Sequence, residues 1–429
     1  MKSSIIPNEA EEDRAVPVSA LTRLAKSLLL GQLRKIRHGR LRIIEDDLDQ
    51  SFGRPTPDAP YDVTVRIRNP RMYAEAVFAG TVGAGEAYIR GYWHCDNLTD
   101  LVRLFIANDA VMANVDSGWS RLAGILMKGA HWLHRNDRSG SRANIAAHYD
   151  LGNRFFEVFL DETMAYSCGI FPHEAASMAE ASRAKFDAAC SKLALKKDQR
   201  LLEIGTGWGG LAIHAARHYG CKVTTTTISR QQYTYAKERI TREGLQDRIT
   251  LLLEDYRDLQ GEYDALVSIE MVEAVGHQYL DGYFRKCSDL LRPDGSMLLQ
   301  SITIADQYYE RALRSVDFIK KYIFPGGFMP SVQSLVDSVA RTTDMKLFHL
   351  EDIGPHYART LKAWRAAFMA KLAEVRALGY PDSFLRMWEY YFCYCEGGFE
   401  ERRLSDVQML LTKPQARRPI IATVHAPST

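Results

Sequence analysis

One stretch limits what this chain can fold into more than any other: Leu201-Leu202-Glu203-Ile204-Gly205-Thr206-Gly207-Trp208-Gly209-Gly210. An apolar strand runs into a glycine-rich turn and then into a helix that begins near Leu211. Side chains at the glycines would block either the positive φ of the turn or the approach of a ligand to backbone N–H groups at the helix N-terminus. A nucleotide-like ligand is therefore expected on the turn.

The spacing Gly205, Gly207, Gly210 also satisfies the dinucleotide fingerprint, so the turn alone leaves a nicotinamide cofactor and S-adenosylmethionine both open. A nicotinamide cofactor needs an acidic residue about 20 positions on to hold its ribose. The next strand, Cys221-Lys222-Val223-Thr224-Thr225-Thr226-Thr227-Ile228, carries none. Glu203, two residues before the first glycine, fits the methyl donor better.

The 429 residues are enough for two domains, and 55 Lys plus Arg against 53 Asp plus Glu leave a net charge of +2. That balance argues against a whole-surface nucleic-acid binder. Seven cysteines lie scattered without metal-ligand spacing, so no metal is expected and a reducing cytoplasm fits best. Glu9, Glu11, Glu12 and Asp13 precede any apolar stretch, which excludes a secretory signal, and no apolar run reaches the ~18 residues of a membrane span.

Residues 1–18 are polar and are expected to be disordered. Leu21 to Leu33 has apolar residues at helical spacing with Arg23, Lys26, Arg34 and Lys35 around it. Such a basic amphipathic helix either lies on a membrane surface or packs on its own domain. Leu41–Ile44 and Val63–Ile67 alternate like strands, a helix follows over Met72 to Phe78, and a glycine-punctuated stretch runs through Gly91. This gives a small α+β domain over residues 19–116. Residues 117–144 form a basic linker that is either solvated or in contact with anionic lipid headgroups.

From residue 145 the rhythm is strand, helix, strand. Strands are expected at Leu201–Ile204, Lys222–Ile228, Ile249–Leu253, Ala265–Ile269 and Ser296–Ile302. Helices are expected at Ala179–Leu193, Leu211–His218, Arg230–Arg242 and Gln278–Leu290. The fold class is α/β, a doubly wound Rossmann-like sheet with its ligand crevice at the C-terminal ends of the strands.

The unusual residues cluster at those ends. After the third strand, Asp255 and Tyr256 are placed to contact an adenine, or form only a charged loop. After the fourth, Glu270 and Glu273 can point into one pocket, or serve only as dipole partners of a helix start. Two aromatic blocks, Asp317 to Pro330 and Trp388 to Phe399, each contain Gly-Gly and read either as core or as walls around an acyl chain or a developing cation.

With these residues in view, the chain resembles the cyclopropane-fatty-acyl-phospholipid synthases, a family that includes the mycolic-acid cyclopropane synthases and methyltransferases. The resemblance covers nearly all of residues 60 to 411. It rests on Ala147-His148-Tyr149-Asp150-Leu151-Gly152-Asn153, Ala165-Tyr166-Ser167-Cys168, the glycine turn, Thr227-Ile228-Ser229-Arg230-Gln231-Gln232, Glu273-Ala274-Val275-Gly276, Tyr322 to Pro330, Ile353-Gly354-Pro355-His356-Tyr357, and Cys395-Glu396-Gly397-Gly398-Phe399.

The resemblance implies an S-adenosylmethionine-dependent methyltransferase domain with donor contacts at Tyr166, Ser167, Glu203, Gly205, Thr206, Gly207, Trp208, Gly209, Thr227, Ser229, Gln232, Asp255 and Tyr256. It implies a bicarbonate site at Cys168, Glu273, Gln300, the Ile302 backbone and Tyr357. Many bacterial members have histidine where Gln300 stands; the plant-like branch, similar in its Glu-Ala-Val-Gly-His and Phe-Pro-Gly-Gly blocks, uses Gln. Cys395 matches the family's active-site cysteine, but with no base or helix start beside it reads as a pocket residue before a nucleophile.

The implied partners are unsaturated phospholipid acyl chains at the inner, anionic face of the cell membrane. The implied reaction transfers a methyl group to a cis alkene, and bicarbonate removes a proton so that a ring closes. A methyl-branched, methylene or hydroxylated product, and a non-catalytic lipid-binding paralogue, are the competing readings. The sequence leaves the oligomeric state open, a homodimer included.

Overall fold

A computed structural model describes residues 19–46, 48–109 and 151–418. The expectations for residues 1–18 and 117–144, and the first four residues of the Ala147–Asn153 block, lie outside the described residues. The described chain divides into two compact units. The first takes the residues up to 109 together with Glu310–Gly326 and Tyr357–Leu404; the second takes residues 151–309, Gly327–His356 and 405–418. The sequence reading divides the chain at residues 116 and 145 instead, and so gives all of 145–429 to one domain.

In the first unit, β1 (Gly39–Glu45), β2 (Leu48–Arg54), β3 (Asp62–Ile67) and β4 (Trp93–Cys95) form a sheet in the order β2-β1-β3-β4. The amphipathic helix spans Ala20–Leu33, with Ser19 capping it through the Thr22 N–H. The helix read over Met72 to Phe78 runs from Arg71 to a break at Gly80, whose φ of +61° and ψ of −144° are not helical, and a second helical segment follows the kink as far as Ile89.

The Trp388–Phe399 block lies inside one helix, Asp382–Glu400, so its Gly-Gly is not a turn. A Cβ on Gly397 would come within 2.8 Å of a Val102 methyl, which shows what the glycine is for: close packing on the helix Leu98–Ala107.

In the second unit, β5 (Arg200–Ile204), β6 (Lys222–Thr226), β7 (Ile249–Leu252), β8 (Tyr263–Ile269), β9 (Leu291–Ile304), β10 (Lys346–Asp352) and β11 (Leu404–Thr412) form one sheet. Its order is β10-β11-β9-β8-β5-β6-β7. Strands β5 to β9 pair in parallel, and β10 runs antiparallel to β11. The order turns around between β5 and β8, so the crevice of a doubly wound sheet opens at the ends of those two strands.

Period-two alternation builds a core on each face. Leu202, Ile204, Leu266, Met297 and Leu299 pack on one side, and Leu201, Val223, Ala265, Val267 and Leu298 on the other. Arg230–Arg242 is helical as read. Met178–Lys192 starts with a Ser177/Glu180 capping box. The helix after the turn is α-helical only over Gly210–His214 and then widens to a π-helical turn at Ala215–Tyr219.

Candidate active site

The glycine turn follows β5 directly. Gly205, Gly207 and Gly209 have φ of +106°, +53° and +87°, conformations that cost a side-chain-bearing residue roughly 1–2 kcal/mol each. The N–H groups of Gly205 and Thr206 donate to the Thr226 carbonyl, and that of Gly209 to the Thr206 carbonyl. Those three amides therefore shape the turn and are not presented to a ligand. A Cβ on Gly210 would lie 2.8 Å from the Thr163 carbonyl oxygen, so this glycine serves helix packing.

Around the turn the expected donor residues are brought together. Glu203, 4% exposed, accepts from the Thr225 hydroxyl at 2.5 Å, and Thr225 in turn lies 2.6 Å from the Thr206 hydroxyl. With its own hydrogen given to Glu203, Thr225 accepts from Thr206, so the three form a relay. Burial pushes the Glu203 carboxyl up to about 8, against the opposing pull of the Thr225 hydrogen bond and the Lys185 charge.

At the next strand end the Thr227 hydroxyl donates to Gln232 Oε1 at 2.8 Å, and Ser229 caps the following helix through the Gln232 N–H. At the third, Asp255 is held bidentately by Arg257 at 2.8 and 2.9 Å, with Tyr256 half-buried beside it. Trp208 donates to Asn153 Oδ1 at 2.8 Å and packs on Phe156, which also touches Tyr166.

The second group sits beyond β8 and β9. Register pairs Ile269 with Gln300, and the Glu270 N–H donates to the Gln300 carbonyl. Glu270 has φ +47°. Its Oε1 accepts from the Cys168 N–H and from Gln300 Nε2, both at 2.8 Å. Glu273 lies in a 3-10 turn, Val272–Ala274, rather than an α-helix. Its Oε1 accepts from the Ile302 N–H at 2.6 Å and the Ser301 hydroxyl at 2.9 Å. Its Oε2 is shut away from solvent and has no hydrogen-bond partner among the described residues. Burial, and then the Glu270 charge, push the Glu273 carboxyl up to about 8.

Gln300 is fully buried, and its amide is spent within the protein. Nε2 donates to Glu270 at 2.8 Å and Asp406 at 2.9 Å, while Oε1 accepts from Gln408 at 2.9 Å. Both of its N–H donors are thereby occupied, so none remains for an anion. Cys168 is enclosed, with burial raising its thiol well above the usual range.

Tyr357 and Cys395 belong to the first unit. There Tyr357 stacks on Phe399 with centroids 4.5 Å apart, and Cys395 is half-buried with its thiol raised by burial. A thiol held neutral in this way fits a pocket residue better than a nucleophile.

Three buried groups escaped the sequence reading: Lys185, Asp406 and Gln408. Lys185, 1% exposed, donates to the Ser167 hydroxyl at 2.5 Å. A signal for Asp406 and Gln408 existed: two polar residues at period two, interleaved with Val407 and Met409 in one strand, share a face.

Residues 136–409 match the protein family described as mycolic acid cyclopropane synthetase. A tuberculostearic acid methyltransferase of Mycobacterium tuberculosis is 34% identical over 415 residues, 95% of each chain. A cyclopropane-fatty-acyl-phospholipid synthase of Escherichia coli is 36% identical over 83% of this chain and 88% of its own. Among solved structures, a cyclopropane synthase of Mycobacterium tuberculosis aligns with a TM-score of 0.60 at 30% identity, covering 63% of this chain and 98% of its own. A mycolic acid cyclopropane synthase complexed with SAH and CTAB aligns with the same score at 31% identity over the same shares.

Proposed function

This chain belongs to the mycolic acid cyclopropane synthetase family of S-adenosylmethionine-dependent methyltransferases, and on that premise we propose that it builds cyclopropane rings on membrane phospholipids. The substrate is the cis double bond of an unsaturated fatty acyl chain. The alkene π pair forms a bond to the donor's methyl carbon as the sulfur–carbon bond breaks, which leaves a cation on the neighbouring chain carbon. Loss of a proton from the new methyl group then frees the electron pair that closes the ring.

The observation that carries this reading is Glu273: an enclosed carboxyl with one oxygen fixed by Ile302 and Ser301 and the other unpartnered among the described residues. A buried polar oxygen without a partner costs about 1–3 kcal/mol, and a small hydrogen-bonding anion beside it would remove that cost. Bicarbonate fits: Glu273, kept protonated by burial, can donate to it. The chemistry a bound bicarbonate supplies is that of a base able to accept one proton. Glu273 holds and orients that base, and the Glu203–Thr225–Thr206 relay shapes the donor end of the crevice.

Access to phospholipid is assigned to the helix Ala20–Leu33 at the cytoplasmic face of the membrane. Leu21, Leu24 and Leu28 are 54%, 56% and 44% exposed and recur at helical spacing, the pattern of an interfacial helix.

A second reading has one observation in its favour: a relative that matches along 95% of both chains is named a methyltransferase, so methyl transfer without ring closure is the alternative. Incubation of the full chain with labelled S-adenosylmethionine and cis-unsaturated vesicles, followed by mass spectrometry and proton NMR of the fatty acids, decides. One added CH₂ with upfield ring protons supports the synthase; a saturated branched or vinyl product replaces it with the second reading. Absence of transfer to any lipid overturns both.

A further inference from the structure

The amides behind the site have a fixed direction. Lys192, an ammonium that can only donate, meets Gln408 Oε1 at 2.5 Å and also pairs with Glu351. Gln408 must therefore turn its Nε2 to Gln300 Oε1, and Gln300 must turn its own Nε2 to the two carboxyls of Glu270 and Asp406. Asp406 is fully buried, and its main-chain carbonyl accepts from the Ile353 N–H at 2.7 Å. Its carboxyl lies beside Glu270 and Glu273, with burial and those two charges raising it far above the usual carboxylate range and Lys185 opposing them.

Glu270 is the group this arrangement acts on. It has a left-handed backbone, unusual for a residue with a side chain, and it carries the Cys168 N–H at 2.8 Å. Three residues later the same turn carries Glu273. Whatever fixes the Glu270 carboxyl therefore fixes both the Ser167–Cys168 backbone and the approach of Glu273.

We propose that Asp406, with Gln300 as spacer, is a positioning residue for methyl transfer, and that Gln300 itself is not an anion ligand. This rests on the function proposed above. Asp406 Oδ2 accepts from Gln300 Nε2, and the carboxyl lies beside Glu270; an asparagine in its place keeps an acceptor for Gln300 and has an amide donor to offer Glu270. A leucine can offer neither.

The test uses the full chain with Asp406→Asn, Asp406→Leu and Gln300→Met. Steady-state transfer to vesicles is measured, together with hydrogen exchange of the peptide 164–170, which contains the Cys168 amide. Asp406→Leu is expected to lower kcat about tenfold or more, while KM for the donor moves less than about threefold. Its Cys168-containing peptide is expected to exchange about tenfold faster. Asp406→Asn is expected to restore both to near the wild-type level, and Gln300→Met to behave like Asp406→Leu.

If Asp406→Leu does not fold, the other two variants decide. A wild-type kcat in Gln300→Met, or an Asp406→Asn enzyme with the low kcat and fast exchange expected of the leucine variant, overturns the assignment. If the wild-type enzyme itself moves no methyl group to lipid, the proposed function fails, and the exchange rates of the same three variants still support or overturn the network.

Discussion

Glu203→Gln is expected to make the protein less sensitive to alkaline pH. Glu203 is 4% exposed, and burial raises its carboxyl from 4.5 to about 8. A group whose folded value is raised stabilises the fold fully below its unfolded value, and that contribution is lost as pH rises through the folded value. The window runs from about pH 4.5 to about pH 8. Weighting both states by their ionisation, the loss between pH 5 and pH 8 is about 3–4 kcal/mol.

The amide introduced by the substitution would not titrate, and its oxygen would still accept from Thr225. Comparing variant with wild type cancels every other titration that the substitution leaves alone. Urea unfolding followed by near-ultraviolet circular dichroism at pH 5, 6.5 and 8 reads the effect. The stability gap, variant minus wild type, is expected to rise by about 3 kcal/mol across the series. A gap constant to within about 0.5 kcal/mol would mean that Glu203 is ionised in the native state, and the reasoning would fail.

Other perturbations test other parts. Glu273→Gln is expected to bind S-adenosylhomocysteine within about threefold of wild type by calorimetry yet lose most ring formation, because the carboxyl O–H that holds the base is replaced by a weaker and differently placed amide donor while the donor crevice is unchanged; unchanged turnover refutes it. Lys185→Met, which removes the buried ammonium from Ser167 and the nearby carboxyls, is expected to destabilise by about 3–5 kcal/mol in urea unfolding. Gly397→Ala forces a methyl against Val102 and is expected to cost about 1–3 kcal/mol by the same measurement. Replacing Leu24 and Leu28 with Glu is expected to weaken co-sedimentation with anionic vesicles at least about tenfold without moving the melting temperature, since both side chains face solvent.

What could be read from the sequence was what rests on local chemistry. The glycine turn, the five parallel strands and the helix Arg230–Arg242 follow from periodicity and turn residues close together in the chain. Glu273 could be nominated because it follows a strand end. Its raised carboxyl could not, since that comes from burial and the Glu270 charge, which outweigh the opposing hydrogen bonds from Ser301 and Ile302. The family resemblance puts Gln300 in the anion site, and an amide can donate there. Only the sheet order, which brings Gln408 and Asp406 on β11 alongside β9, shows that its donors are taken. The double glycine at 397–398 has the composition of a turn, yet sits in a helix because a neighbouring helix needs the space.

The division of the chain into interleaved segments bears on its synthesis. The first unit needs residues up to 109, then Glu310–Gly326, then Tyr357–Leu404. Its opening strands leave the ribosome about 300 residues before its last helix does, a delay of roughly 15–60 s at ordinary elongation rates. During that time the hydroxyls of Tyr88 and Tyr61 lack the carboxylates they donate to, Glu389 and Glu401. The nascent amino-terminal segment must therefore wait, half-built, while much of the other unit is translated, and a cut near residue 116 would divide the first unit between two pieces, neither of which carries enough of it to close its core.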